Sequence, residues 1–300
     1  MKKKLLGFLS VICAFSVVFG TNTPVLADRV DEDLNKPYLS LGNDLTPSER
    51  ATVLELFKIS ESDLENYDVK TVTNEDEHRY LGDYLDASVI GTKALSSVMV
   101  VGKESGNGIQ VTTKNISYCT TGMYQNALAT AGVKDADITV VGPYKISGTA
   151  ALVGAIKAYE SMTGEEVPQA NLEVANNELV VTGEIADSVG DAEKAEQLVA
   201  IVKEEVAKGG LASKEDIQEV IDKAVKELDI ELTEEDQKNM TALMEKIDGL
   251  DLDVETIKDQ AKDLYDKLDE LDINIDKESI GDFFAKIIDA IVEFFRNLFS

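Results

Sequence analysis

The sequence predicts an α+β fold, with a mixed N-terminal domain built on a small sheet and an all-helical array after it. Three observations carry that prediction. Before residue 190, short β-type runs are interleaved with capped helical stretches. From residue 191 onward the β-type runs stop and amphipathic stretches follow one another. The composition, 44% hydrophobic and 29% charged with only 5 prolines, is that of a folded and helix-rich chain.

The chain opens MKKKLLGFLSVICAFSVVFGTNTPVLADRV. Lys2, Lys3 and Lys4 form a basic start, an apolar run extends to Phe19, and Val25 and Ala27 place small residues where a signal peptidase reads. Residues 1–27 are therefore expected to be a secretory signal peptide, with an apolar run too short for a membrane span. Its removal takes away three lysines and no acid, so the formal charge moves from −28 to −31. Cys13 leaves with it, and Cys119 remains as the single thiol, so the exported chain holds together by packing without a disulfide. Within ISYCTTGMY, Cys119 reads as a small buried side chain rather than a nucleophile.

Residues 28–190 hold 26 acids and 12 bases, and residues 191–300 hold 31 and 14, so the acidity is spread and no block of it reads as a disordered tail. Such a charge excludes nucleic acid as a natural partner, because the phosphates would be repelled. Its direct reading is solubility outside the cell.

Taken in order, Thr46-Pro47-Ser48-Glu49 supplies a cap, a first-turn proline and a third-position acid, and Val53, Leu54 and Phe57 follow on one face. DVKTVT reads as a strand, and Thr73-Asn74-Glu75-Asp76 starts a helix reaching Tyr84 or Leu85. SSVMVVGK and IQVTTK are β-type runs, and Gly106-Asn107-Gly108 between them predicts a hairpin. TGMYQNALATAG is a helix stopped at Gly132, DADITVVGPY a strand, and SGTAALVGAIKAYESMTG a helix. From Val69 the first six elements match a ferredoxin-like split β-α-β order. Residues 168–189 are ambiguous, since ELVV favours a strand locally. Leu172, Ala175, Leu179, Ala186 and Val189 fit a helical face, and the reading leans to helix.

The main boundary is expected near 190–210. Beyond it LDIEL, LDLDV and LDINI recur at 228, 250 and 271, each leading into a new helix start. Helices are expected at 191–208, 214–228, 234–247, 254–269 and 277–299. None can bury its face alone, so they must stack on one another or on the mixed part.

Three stretches, LGNDLTPSERATVLELF, DITVVGPYKISGTAALVGAIKAYE and LTEEDQKNMTALMEKIDGLDLDVETIKDQAKDLYDKL, resemble a secreted family of Gram-positive bacteria, domain of unknown function 1002, the YpuA-like proteins. The resemblance runs from about Leu41 to the C-terminal helix. Its most specific part is VVGPYKISGTAALVGAIKAYE. It implies export from a Gram-positive cell and a shared architecture, and it brings no catalytic residues.

The residues offer little catalytic chemistry. The single histidine, His78, lies among charged neighbours in NEDEHRY and reads as an exposed helix position. No cofactor is expected, and zinc sites of Cys and His are excluded by number. Asp251, Asp253 and Glu255 alternate like EF-hand ligands, but Thr256 and Lys262 stand where that loop needs glycine and glutamate. Asp272, Asn274 and Asp276 fail in the same way, which leaves only weak, diffuse divalent binding by the acidic surface. A glycosidase needs two carboxylates. The chain has no tryptophan to stack on sugars, although Tyr38, Tyr118, Tyr124 and Tyr144 are candidate substitutes. The turn GPYKISGTAALVG brings Gly148 and Thr149 to a helix N-terminus with Lys145 nearby, an arrangement that suits an anion. Small residues there also serve close helix-on-sheet packing, which is the simpler reading.

The last stretch, GDFFAKIIDAIVEFFRNLFS, holds five of the chain's 9 phenylalanines. On a helix over 277–299, Phe283, Phe284, Ile287, Ile288, Ile291, Phe294, Phe295 and Leu298 share one wide face. Its polar stripe carries three acids and two bases, which fits poorly with insertion among anionic lipids. The face either docks on the protein's own helices or meets a partner or a second copy. The expected function is a secreted, envelope-associated, non-enzymatic binding or scaffold protein. The alternative is a carboxylate-dependent hydrolase of cell-wall or surface polymers.

Overall fold

The computed structural model describes residues 36–270 apart from 210 and 212. The expected signal peptide over 1–27 and helix over 277–299 lie outside the described residues.

The fold is α+β, with one mixed sheet of five strands. Its strands are β1 (Tyr38–Gly42), β2 (Asp68–Val72), β3 (Ser97–Gly102), β4 (Ile109–Ile116) and β5 (Ala136–Ile146), in the spatial order β2-β1-β3-β5-β4. The pairs β1·β2 and β4·β5 are parallel, while β1·β3 and β3·β5 are antiparallel. Among the described residues, ten α-helices surround or extend the sheet: α1 (Pro47–Phe57), α2 (Asn74–Leu81), α3 (Ala87–Ile90), α4 (Thr121–Thr130), α5 (Thr149–Thr163), α6 (Gln169–Val189), α7 (Ala192–Ala207), α8 (Lys214–Glu227), α9 (Glu234–Asp248) and α10 (Val254–Glu270). After Gly190 the described elements are all helices, close to the expected spans.

The helix starts follow their caps. Thr46 with Glu49, Thr73 with Asp76 and Thr233 with Asp236 each form a reciprocal capping box. The stretch 169–189 is one helix despite ELVV, because its 3.6-residue face outweighs the local β preference.

The strand order departs from the expected one. β3 and β4 do not form a hairpin, since β5 lies between them, and a ferredoxin-like sheet would require them to pair. The physical reason sits in the link. Asp135, immediately before β5, accepts hydrogen bonds from Gly106 N and Gly108 N, both at 2.9 Å, so the glycine turn is tied to β5's entry. β4, α4 and β5 then make a parallel crossover unit, the usual way to join parallel neighbours. β1, which no sequence signal marked as a strand, is central between β2 and β3.

Alternation along the strands divides the two faces. Leu39, Leu41 and Val141 join Val53, Leu54 and Phe57 of α1 in a small core. Val98, Val100, Ile138 and Val140 face the opposite core with residues of α4 and α5. There α5 approaches closely: a Cβ on Gly154 would lie 2.8 Å from Ser40 Oγ and 2.9 Å from Val98 Cγ1. That contact accounts for the small residues of GTAALVG. α6 serves two cores, with Leu172, Ala175 and Leu179 in the sheet-side one and Val174, Val181 and Ile185 in the helical one.

Candidate functional site

β5 ends in GPYKI and passes through Ser147 and Gly148 into α5. Opposite this turn stands α2, where the Thr73 cap places Glu77 and Leu81, four residues apart, on the inward face. Glu77 is 1% exposed. The Thr149 hydroxyl donates to its Oε1 at 2.7 Å, and Asn74 Nδ2 donates to its Oε2 at 3.2 Å. Ala151 N donates to Ser96 Oγ at 2.9 Å. Together Glu77, Ser88, Ser96, Ser147, Gly148 and Thr149 line much of a cavity of about 290 Å³.

Burial holds the Glu77 carboxyl above its ordinary range, against the opposing hydrogen bonds of Thr149 and Asn74. His78 lowers it slightly and Asp44 raises it. A carboxyl with a raised folded-state pKa contributes stability that is fully present below its unfolded value and is lost as pH rises through the folded value. Glu77→Gln removes that titration. The fall in melting temperature between pH 4.5 and pH 7 is therefore expected to be smaller in Glu77→Gln than in the unsubstituted protein. Equal falls in the two proteins would refute the assignment.

Gly148 and Thr149 both line this cavity, while Lys145 is exposed and lies outside its lining. The Thr149 hydroxyl is already given to a carboxylate of the protein. Beneath the turn, the Tyr124 hydroxyl donates to Gly148 O at 2.6 Å. Burial pushes the Cys119 thiol up to about 12, with Tyr124 pulling the other way, so this thiol stays protonated at ordinary pH.

A second polar centre is buried between α4, α6, α7 and α10. Lys203 and Glu178 are both 0% exposed and meet at 2.8 Å. Lys203 Nζ also donates to Asn126 O at 3.0 Å and Thr130 Oγ1 at 3.3 Å, and Thr130 donates to the other Glu178 oxygen. Gln260 of α10 donates to Asn126 Oδ1. Burial pushes the Lys203 amine below its ordinary range while Glu178 opposes the shift.

The other sequence candidates separate. His78 is exposed on α2, and Cys119 is 1% exposed. Tyr38 and Tyr124, offered as sugar platforms, are core residues at 3% and 0% exposure, placed there by their apolar rings; Tyr118 packs on the same core, and Tyr144 is 51% exposed. Asp253 is held down to about 2, first by Lys134 at 2.7 Å and then by Thr256 N at 3.0 Å, so it caps α10. Among the described residues, no group of three or more His, Cys, Asp or Glu is placed to hold a metal. Nor is any described helix long and apolar enough to cross a membrane. The apolar tail residues, from Phe283 to Leu298, lie outside the described residues.

Residues 41–264 match the family model described as "Protein of unknown function (DUF1002)". The chain belongs to this family. It is also 38% identical to "Uncharacterized protein YpuA" of Bacillus subtilis (strain 168), over 99% of this chain and 100% of that protein. No solved structure matches. In this DUF1002 chain the matched region runs from β1 into α10, so both polar centres fall inside it. Sequence reasoning missed them as sites. Glu77 was hidden among charged neighbours, although its spacing from Leu81 was readable. Lys203 sits between Val199 and Val206, a helical spacing that puts it on an apolar face.

Proposed function

We propose that this member of the family is a secreted, envelope-associated, non-enzymatic binding or scaffold protein. It makes its outside contact through the apolar face of 281–299. One observation supports that reading. Among residues 36–264, Tyr144 at 51% and Val254 at 38% are the only large hydrophobic side chains left exposed. The body covers its own cores, and a face carrying Phe283, Phe284, Ile287, Ile288, Ile291, Phe294, Phe295 and Leu298 therefore has more to gain from a partner than from the body. The signal-like N-terminus supports export, and the acidic polar stripe argues against stable insertion in lipid. The hydrolase reading is weaker. Among the described residues Glu77 is the one acid lining its cavity, and a glycosidase mechanism needs a second.

The test is a chain ending at Ile280. It is expected to keep its melting temperature within about 2 °C, the scale of a sub-kcal/mol change, and to lose co-sedimentation with isolated cell envelopes. A clear drop in melting temperature would place the tail on the protein's own body and sink the proposal.

A further inference from the structure

The turn between β3 and β4 holds the single Asn-Gly pair of the chain, Asn107-Gly108. Asn107 is exposed, and Gly108 is half-buried at φ 65°. Such a pair is chemically labile, because glycine has no side chain to hinder attack by its nitrogen on the amide carbon before it. The Asn107 side chain is turned toward its successor: Nδ2 donates to Gly108 O at 3.1 Å and to Asp137 Oδ1 at 3.2 Å. The Gly108 nitrogen, which would make the attack, donates instead to Asp135 Oδ1 at 2.9 Å. The same oxygen accepts from Gly106 N. A hydrogen bond to a carboxylate holds the proton that the nitrogen must lose and fixes the direction of the peptide group. The reactive pair and its restraint thus meet in one turn, although Asp135 arrives from the start of β5.

We propose that Asn107 is a site of spontaneous deamidation, restrained in the folded chain by Asp135, and that its product loosens the turn into β4. When the turn opens locally, Gly108 N gives its proton to hydroxide and bonds to Asn107 Cγ. The bond from Cγ to the side-chain nitrogen breaks, that nitrogen takes a proton from water, and ammonia leaves. A cyclic imide then joins the two residues. Water adds to one of the two ring carbonyls and the C–N bond there breaks. Opening at the side-chain carbonyl gives an aspartate, and opening at the main-chain carbonyl leaves the chain running through Cγ, an isoaspartate. No electrons are exchanged, and water and hydroxide are the co-reactants. Either product puts a carboxylate where a donor stood. In the fold the Asn107 amide donates to one Asp137 oxygen, while Lys103 holds the other at 2.6 Å. A carboxylate in that place faces Asp137, with Asp135 beside it, and repels both. The turn that ties β4 to the entry of β5 then loses a bridge and gains a repulsion.

The proposal rests on the described body alone, so it stands or falls independently of the C-terminal contact. The full-length protein and a synthetic peptide of residues 104–113 are incubated side by side at mildly alkaline pH. Peptide mass spectrometry with isoaspartate detection then reads residue 107. Conversion at Asn107 is expected in the protein, about tenfold slower than in the peptide, the scale of one hydrogen bond to a charged group. Asp135→Ala should bring the protein's rate toward that of the peptide. Asp135→Asn keeps the shape and one acceptor, so its rate should fall between, and it serves if Asp135→Ala does not fold. Asn107→Asp mimics one product and should melt about 2–4 °C below the unsubstituted protein. An unconverted Asn107 when the peptide has fully reacted overturns the proposal. So do equal rates in protein and peptide, a rate unchanged in a folded Asp135 variant, or an Asn107→Asp protein that melts with the unsubstituted one.

Discussion

Replacing Lys203 with methionine is expected to destabilise the fold by about 3–5 kcal/mol, one of the largest single-residue effects outside the hydrophobic cores. The reason is the partner left behind. Glu178 is 0% exposed, and its two carboxylate oxygens are met by Lys203 and Thr130. Without the ammonium, the carboxylate must be desolvated alone or take up a proton. Asn126 O loses a donor as well. The double substitution Lys203→Met with Glu178→Leu removes both charges at nearly conserved volume, and it should recover most of the loss. Urea denaturation of the three proteins measures this. A lone Lys203→Met that unfolds at the same urea concentration as the unsubstituted protein would show the ion pair to be dispensable. The pair joins α6 to α7, and its neighbours draw in α4 and α10. Directional bonds at that junction favour one packing of apolar helices that could otherwise slide.

Most of the described helices were legible because their signals are local, although α3 (Ala87–Ile90) was not read. Thr46, Thr73 and Thr233 each stand before a proline or an acid that completes the cap, all within one turn. The sheet was not, because pairing is decided by residues far apart. Gly106-Asn107-Gly108 does turn the chain, with both glycines at positive φ, but Asp135 settles where that turn leads. β1 is five residues of YLSLG, and it is a strand because β2 and β3 flank it. The site divides in the same way. The small residues around Gly148 announced a close approach, yet what approached, Glu77 and Tyr124, came from other elements. Lys203 shows the limit from the other side: a charge on an apolar face normally reads as a residue that reaches solvent. Only Glu178, 25 residues away in the chain, explains why this one does not.

The second large effect is expected at that turn. Gly148 adopts φ 101°, a conformation that β-branched residues do not reach without strain. Its surroundings are closed too, since a Cβ would lie 2.5 Å from Tyr124 Oη and 2.7 Å from Ile116 Cγ2. Neither neighbour is free to give way. Tyr124 is 0% exposed and its hydroxyl holds the Gly148 carbonyl, while Ile116 is paired with Ile146 beside the bulge that ends β4. Gly148→Val thus combines a backbone penalty of about 1–3 kcal/mol with a similar one for overpacking. A loss of about 3 kcal/mol or more is expected in thermal or urea unfolding. Gly164→Val is the matched control. It also has positive φ, at 71°, but a Cβ there meets nothing within 4 Å, so only the smaller backbone cost remains. If the two variants lose equal stability, the closed contact with Tyr124 and Ile116 contributes nothing, and the turn into α5 is held by backbone conformation alone.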